Sequence, residues 1–232
     1  MKVAIMQPYF LPYIGYFQLM ASADVFVIYD NIKYTKKGWI NRNRMLLNGK
    51  DSVFSLPLMK GADSLNIAER AISPDFNKMK LLNQFHGAYS KAPYFKEVFP
   101  LIEDIIRYED DNLFSYLHYS VCKIASLLNI KTKIIISSSV SDNENLKGQD
   151  KVLSICKALS ASHYINAIGG KELYSESDFA REGIRLSFIQ SHVEEYRQFS
   201  TTFVPWLSIA DVLMFNSLDA VRHSVKYNYS LV

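Results

Sequence analysis

Tyr13-Ile14-Gly15-Tyr16 sets two phenol hydroxyls around a glycine, where a proline-bounded turn gives way to a helical pattern. Val3-Ala4-Ile5-Met6 reads as a strand, Gln7-Pro8-Tyr9-Phe10-Leu11-Pro12 as the turn, and Phe17-Gln18-Leu19-Met20-Ala21 as the continuing helix. A strand, a tight turn, a small residue and a helix together bring backbone N–H groups to an anion at a helix N-terminus. On this reading Gly15 admits a phosphate, and Tyr13 and Tyr16 donate hydroxyls to it. Gln7, at the carboxyl end of the strand, faces the crevice where open α/β sheets hold ligands. Tyr13 and Gln7 are therefore candidates for catalysis, and Gly15 and Tyr16 for substrate binding. The plainer alternative is that the prolines tighten a turn and Gly15 lets the helix pack closely on the strand.

Charge and aromaticity concentrate next between Asn31 and Arg44. Lys36, Lys37, Trp39, Asn41, Arg42 and Arg44 follow an unbroken apolar run, Val25-Phe26-Val27-Ile28, whose end carries Tyr29 and Asp30. Guanidinium forks match phosphate or carboxylate, and an indole face suits a sugar ring or a base. All eight residues are substrate-binding candidates; the competing reading is a solvated basic loop with Trp39 anchored in the core. His86, near Tyr89 and Lys91-Ala92-Pro93-Tyr94-Phe95, is the candidate general base, since imidazole titrates in the working range. Gly169-Gly170-Lys171, after the short run His163 to Asn166, offers a second anion nest or a plain turn. Ser137-Ser138-Ser139 also follows a strand pattern. Asp211 is open to capping, ion pairing or ligand contact. The histidines lack metal-ligand spacing, so no metal is expected. Walker A, G-x-S-x-G, paired-carboxylate and C-x-x-C patterns are missing, which lowers the standing of P-loop, serine hydrolase and zinc classes.

These groups must be positioned by a chain of 232 residues, 49% hydrophobic and 21% charged, enough apolar material for one sizeable core. The formal net charge of +3 is too small to favour a long polyanion, and nucleic acid is not an expected partner. Cys122 and Cys156 lie in apolar helical patterns and read as core thiols of a reducing compartment. The start of the chain does not read as a signal peptide, and no window approaches the ~20 apolar residues of a membrane span; a cytoplasmic protein is expected. Strand patterns continue at Ser52 to Leu56, Ile67 to Ile72, Lys133 to Ile136 and Ile184 to Ile189. Helical patterns run from Asp75 to Phe85, from Pro93 through a kink expected at Pro100, from Asn112 to Leu128, from Lys147 to Leu159 and from Ser208 to Phe215. The alternation predicts an α/β fold: a largely parallel sheet flanked by helices, a nucleotidyltransferase-like (Rossmann-type) start, and a single domain over 1–232 with a helical subdomain at about 75–130.

The first βα unit resembles that of the HIGH-type nucleotidyltransferases and pantothenate synthetase, with Tyr13 and Tyr16 at the two histidine positions of their box and Gly15 at its glycine. Tyrosine donates a hydrogen bond but, with an ordinary pKa of about 10, supplies no positive charge at neutral pH. Over essentially the whole chain, Gln7 to Phe17, Lys37 to Arg44 and Ala88 to Phe95 resemble the WbqC-like protein family. Gly169-Gly170 stands where that family more often carries Gly-Pro-Gly-Gly. Members occur in bacterial surface-polysaccharide (O-antigen) gene clusters. The resemblance implies a glycine or other acyl transferase acting on the amino group of a nucleotide-linked sugar. The cofactor is left open, ATP being a candidate by analogy with pantothenate synthetase, where the acyl group is activated as an adenylate. A nucleotidyltransferase making an activated sugar or cofactor, and a non-catalytic binding subunit, remain the alternatives.

Overall fold

Four consecutive apolar residues, Val25–Ile28, form a strand buried on both faces, the pattern of a strand inside a parallel sheet. A computed structural model describes residues 1–140 and 143–232. This strand, β2, lies between β1 (Lys2–Met6) and β5 (Lys133–Ile136), and β1 pairs on its other side with β6 (His163–Ala167). Beyond β6 come β7 (Arg185–Ser191) and, antiparallel at the edge, β8 (Tyr229–Leu231). The order β5-β2-β1-β6-β7-β8 is 3-2-1-4-5-6 when the strands of this sheet are counted along the chain, the order of doubly wound α/β sheets. The fold is thus α/β with a mixed sheet, parallel except at one edge.

Alternation along the strands separates two apolar layers. Ala4, Phe26, Ile28 and Ile165 join one core with helices α1 (Ile14–Ala21), α2 (Lys78–Tyr89), α3 (Phe95–Arg107), α4 (Leu113–Leu127), α7 (Ile209–Phe215) and α8 (Leu218–Tyr227). Val3, Ile5, Val25 and Val27 pack on the other face with α5 (Gly148–Ala158) and α6 (Glu176–Arg181), including the buried thiol of Cys156. Both cysteines are free, and burial raises both thiols. Helix α1 is buried almost throughout, and its Gln18 amide donates to the carbonyls of Ser224 and Asn228 at the end of α8.

Two segments depart from the sequence-based reading. Residues Ile67–Glu69 form a single 3-10 turn, not a strand, because the Asn66 and Glu69 side chains close a reciprocal capping box. The basic segment runs into a strand, β3 (Arg42–Leu47), paired antiparallel with β4 (Lys50–Ser55) in a separate hairpin. Its two-residue turn is Asn48-Gly49, with φ of 51° and 76°, as a primed hairpin turn demands. Helix α3 runs through Pro100, which lies in its second turn.

A buried polar hub locks the hairpin to the helices. The Tyr89 hydroxyl accepts from the Leu46 backbone N–H at 2.9 Å and donates to Asp211 at 3.0 Å. Asp211 also accepts from Tyr196 at 2.6 Å and Gln198 at 2.9 Å. Burial raises its carboxyl above the usual range, while the three donors pull it the other way. Replacing Tyr89→Phe removes one donor to a buried carboxylate and orphans the Leu46 N–H. It should cost about 1–3 kcal/mol, read as a lower urea midpoint at unchanged slope; a shift within error would show that the hub does not hold the hairpin.

Candidate functional site

Three segments far apart in sequence meet at the carboxyl end of β1. The turn Pro8–Tyr13 is met by β3 through Asn43, whose buried amide nitrogen donates to the Phe10 carbonyl at 3.1 Å and the Leu11 carbonyl at 2.8 Å. Phe10 N–H donates to Ile40 at 2.9 Å, extending that contact. From the C-terminal region, Ser208 donates its hydroxyl to the same Leu11 carbonyl at 2.8 Å, and its N–H to Arg44 at 2.9 Å. The Ile209 N–H donates to Pro12 at 2.9 Å. Leu11 and Trp206 both adopt left-handed backbone conformations, at φ of 45° and 61°.

Between these segments lies a cavity of about 200 Å³ lined by Tyr9, Pro12, Tyr13, Trp39, Asn43, Arg44 and Trp206. The rings of Tyr13 and Trp206 meet edge to face at 6.1 Å. The Arg44 and Arg42 guanidiniums lie 5.4 Å and 5.6 Å from the Trp39 ring centre. Arg44 pairs with Asp51 at 3.1 Å and donates to the Trp206 carbonyl at 3.1 Å. Arg42 donates to the carbonyls of Gly38 and Lys37, closing the loop that presents Trp39. Burial pushes the Tyr9 phenol up to about 12, the nearby Tyr13 adding to the effect. Burial also raises Tyr13, against a hydrogen bond with Ser191 that lowers it. Both phenols are therefore protonated at neutral pH and serve as donors, not bases.

The structure thus brings Tyr13, Trp39 and Arg44, from two of the stretches singled out in the sequence, into one lining. It adds Tyr9, Asn43 and Trp206. The other candidates lie elsewhere. A Cβ on Gly15 would fall 2.4 Å from the Tyr13 ring and 2.5 Å from Ser191 Oγ, so that space is filled by protein. Tyr16 turns into the core against Phe26 and Phe17, its buried hydroxyl without a hydrogen-bond partner among the described residues. Gln7 is half-buried just past β1, outside the lining. Asn41 latches Tyr34 to the Leu56 carbonyl. Lys36 pairs with Asp63 at the surface, and Lys37 is exposed. Asp30 receives Ser137 Oγ and Ser138 N–H, tying the ends of β2 and β5; Tyr29 lies beneath the Lys151 ammonium. Gly169, Gly170 and Lys171 sit in a 3-10 turn after β6, with the Asn166 amide 2.7 Å from where a Gly170 Cβ would stand. His86 is exposed on α2 and packs its ring on the edges of Phe95 and Phe99; it does not line the cavity. No group of three or more His, Cys, Asp or Glu is placed to hold a metal among the described residues.

The tie between β3 and the turn is directly testable. Asn43→Ala takes one donor each from the Phe10 and Leu11 carbonyls, leaving Leu11 only Ser208, and should cost about 2 kcal/mol, with the emission of Trp206 and Trp39 shifting toward that of solvated indole. Unchanged stability and an unchanged spectrum would mean that the cavity does not depend on Asn43.

The chain was compared with known proteins. It is 30% identical over 219 residues to the uncharacterized protein Rv1507c of Mycobacterium tuberculosis (strain ATCC 25618 / H37Rv), an alignment covering 93% of each chain. No solved structure matches it significantly. No helix among the described residues is long and apolar enough to cross a membrane. The sequence pattern of the WbqC-like protein family matches residues 7–223, which begin at the turn after β1 and take in every wall of the cavity. The chain belongs to the WbqC-like protein family.

Proposed function

We propose that this protein transfers an acyl or glycyl group to the amino group of a nucleotide-activated sugar in bacterial surface-polysaccharide (O-antigen) assembly, in the cytoplasm. The observation that carries this reading is the cavity at the carboxyl end of β1, where aromatic walls stand beside protonated phenols and a guanidinium. Open α/β sheets hold nucleotides and their derivatives at that edge. An amide-forming enzyme must hold a sugar and an activated acyl group together, and a shared concave site supplies that proximity. Family membership supports a role in sugar- and nucleotide-related biosynthesis.

In the reaction the amine nitrogen bonds to the acyl carbonyl carbon, the bond from that carbon to its activating group breaks, and the amine gives up a proton. With ATP as activator, the carboxylate first attacks the α-phosphorus, the α–β phosphoanhydride breaks and pyrophosphate leaves. In the second step the amine displaces AMP from the acyl adenylate and its proton passes to solvent. In this reading Tyr13, whose phenol is raised further by burial and contacted by Ser191, donates to the oxygen on which charge develops. Proton removal is not assigned to His86, which packs between α2 and α3 away from the cavity.

Purified protein given ATP, glycine and a nucleotide-linked amino hexose should add one glycyl residue to the sugar, seen by mass spectrometry, with AMP released in equal amount. Tyr13→Phe should lower the rate roughly 10²-fold while the fold is kept. Magnesium-dependent pyrophosphate release with no amine present would instead establish a nucleotidyltransferase. Ligand binding without any turnover would leave a binding subunit.

A further inference from the structure

The sequence suggests that Arg42 and Arg44 grip phosphate, yet Arg42 lies outside the cavity lining and Arg44 is already engaged by Asp51 and the Trp206 carbonyl. A guanidinium binds phosphate by presenting two parallel N–H groups. In Arg44 one terminal nitrogen meets Asp51 and the other the Trp206 carbonyl, while Nε is covered and has no hydrogen-bond partner among the described residues. Arg42 spends Nε and a terminal nitrogen on Gly38 and Lys37. The charge of Arg44 is already paired, and Lys36 on the same loop is paired with Asp63. A phosphate seeking the Arg44 charge in this cavity would have to compete with Asp51 and the Trp206 carbonyl for it.

The walls suit a different guest. Trp39 and Trp206 are 41% and 48% exposed, in a protein whose phenyl and phenol rings are, save Phe199 and Tyr227, buried or half-buried. With Tyr9 and Tyr13 they surround a space of about 200 Å³. That is somewhat larger than the ~150 Å³ that holds a single benzene ring, and below the ~300 Å³ at which sites for drug-sized ligands begin. A pyranose has an apolar C–H face that lies on an aromatic ring and a rim of hydroxyls that takes neutral donors. Flat rings and protonated phenols supply both.

Resting on the proposed sugar-nucleotide reading, we infer that the cavity is a ring subsite. It takes the pyranose of the activated sugar against Trp39 and Trp206, and the nucleoside diphosphate stays outside it. Arg42 and Arg44 are then positioning residues that hold the Trp39 loop and Trp206 as walls, and they do not touch phosphate.

The chain has two tryptophans, and both line the cavity, so intrinsic fluorescence reports its occupancy. Full-length protein is titrated with four probes: the methyl glycoside of a 2-acetamido-hexose, the same sugar linked to uridine diphosphate, uridine diphosphate alone, and inorganic pyrophosphate. The two sugars should change the emission alike, the glycoside with a dissociation constant that varies less than about twofold between low and high salt. The two sugar-free anions should leave the emission unchanged. Trp206→Ala, followed through Trp39, should weaken the glycoside about tenfold, and Trp206→Tyr, which keeps a flat ring, should recover most of that loss. Saturating emission changes with pyrophosphate or uridine diphosphate, weakened by salt, would overturn the subsite, as would silence toward both sugars. The two readings fail separately. Glycoside binding without glycyl transfer removes the transferase and keeps the subsite, whereas transfer with diphosphate seated between the indoles removes the subsite and keeps the transferase.

Discussion

One carbonyl oxygen, that of Leu11, organises the candidate site. It accepts from the Asn43 amide and from the Ser208 hydroxyl, which come from the hairpin and from the start of α7. A carbonyl has two acceptor lone pairs, and here each is met by a different distant segment. Chain positions separated by about 200 residues are thereby fixed at one buried point. Every wall of the cavity is on, or next to, one of the three segments joined there.

This arrangement explains why a hairpin and a helical layer are appended to an otherwise doubly wound sheet. The sheet alone delivers only the turn after β1. The hairpin delivers Trp39, Asn43 and Arg44, but two strands are unstable by themselves and need a partner surface. Tyr89 of α2 provides it through Leu46, and its other hydrogen bond reaches Asp211 of α7, which carries the third segment. Tyr196 and Gln198 converge on the same carboxylate and fasten the stretch leading to Trp206. Helix packing, hairpin register and cavity walls are parts of one hydrogen-bonded system.

Much of the scaffold was readable because its elements obey local rules. Unbroken apolar runs mark β1, β2 and β5; Asn112 and Ser208 cap α4 and α7 through their own side chains. The strand expected at Ile67–Ile72 failed because hydrogen bonds of the Asn66 and Glu69 side chains outweighed β-branched composition. The candidate site was legible in part. Tyr13, Trp39 and Arg44 stood out by residue type, whereas Asn43 and Ser208 act through backbone carbonyls that no residue pattern reveals. His86 stands out by its titration range, yet tertiary packing puts it on another face, against the stacked rings of Phe95 and Phe99. Gly15 and Tyr16 read as open loop chemistry, yet one gives room to the Tyr13 ring and the other fills the core. A glycine makes space, and sequence does not say for what.

The backbone at the cavity supports the view that its shape is held deliberately. A non-glycine residue in the left-handed region pays roughly 1–2 kcal/mol, and two bulky residues do so here, Leu11 just behind the lining and Trp206 within it. Such conformations persist only where the surroundings over-determine them. At Leu11 they do: two hydrogen bonds at about 1 kcal/mol each are of the same size as the strain. At Trp206 the carbonyl is held by Arg44, whose other end is held by Asp51. The guanidinium that seemed free to bind an anion is thus consumed in keeping an indole half out of the core. A site arranged in this way presents ring faces, with its charges turned inward on its own loops. On the ring-subsite proposal, selectivity would follow from the shape and C–H surface a guest offers to the two indoles that line the cavity.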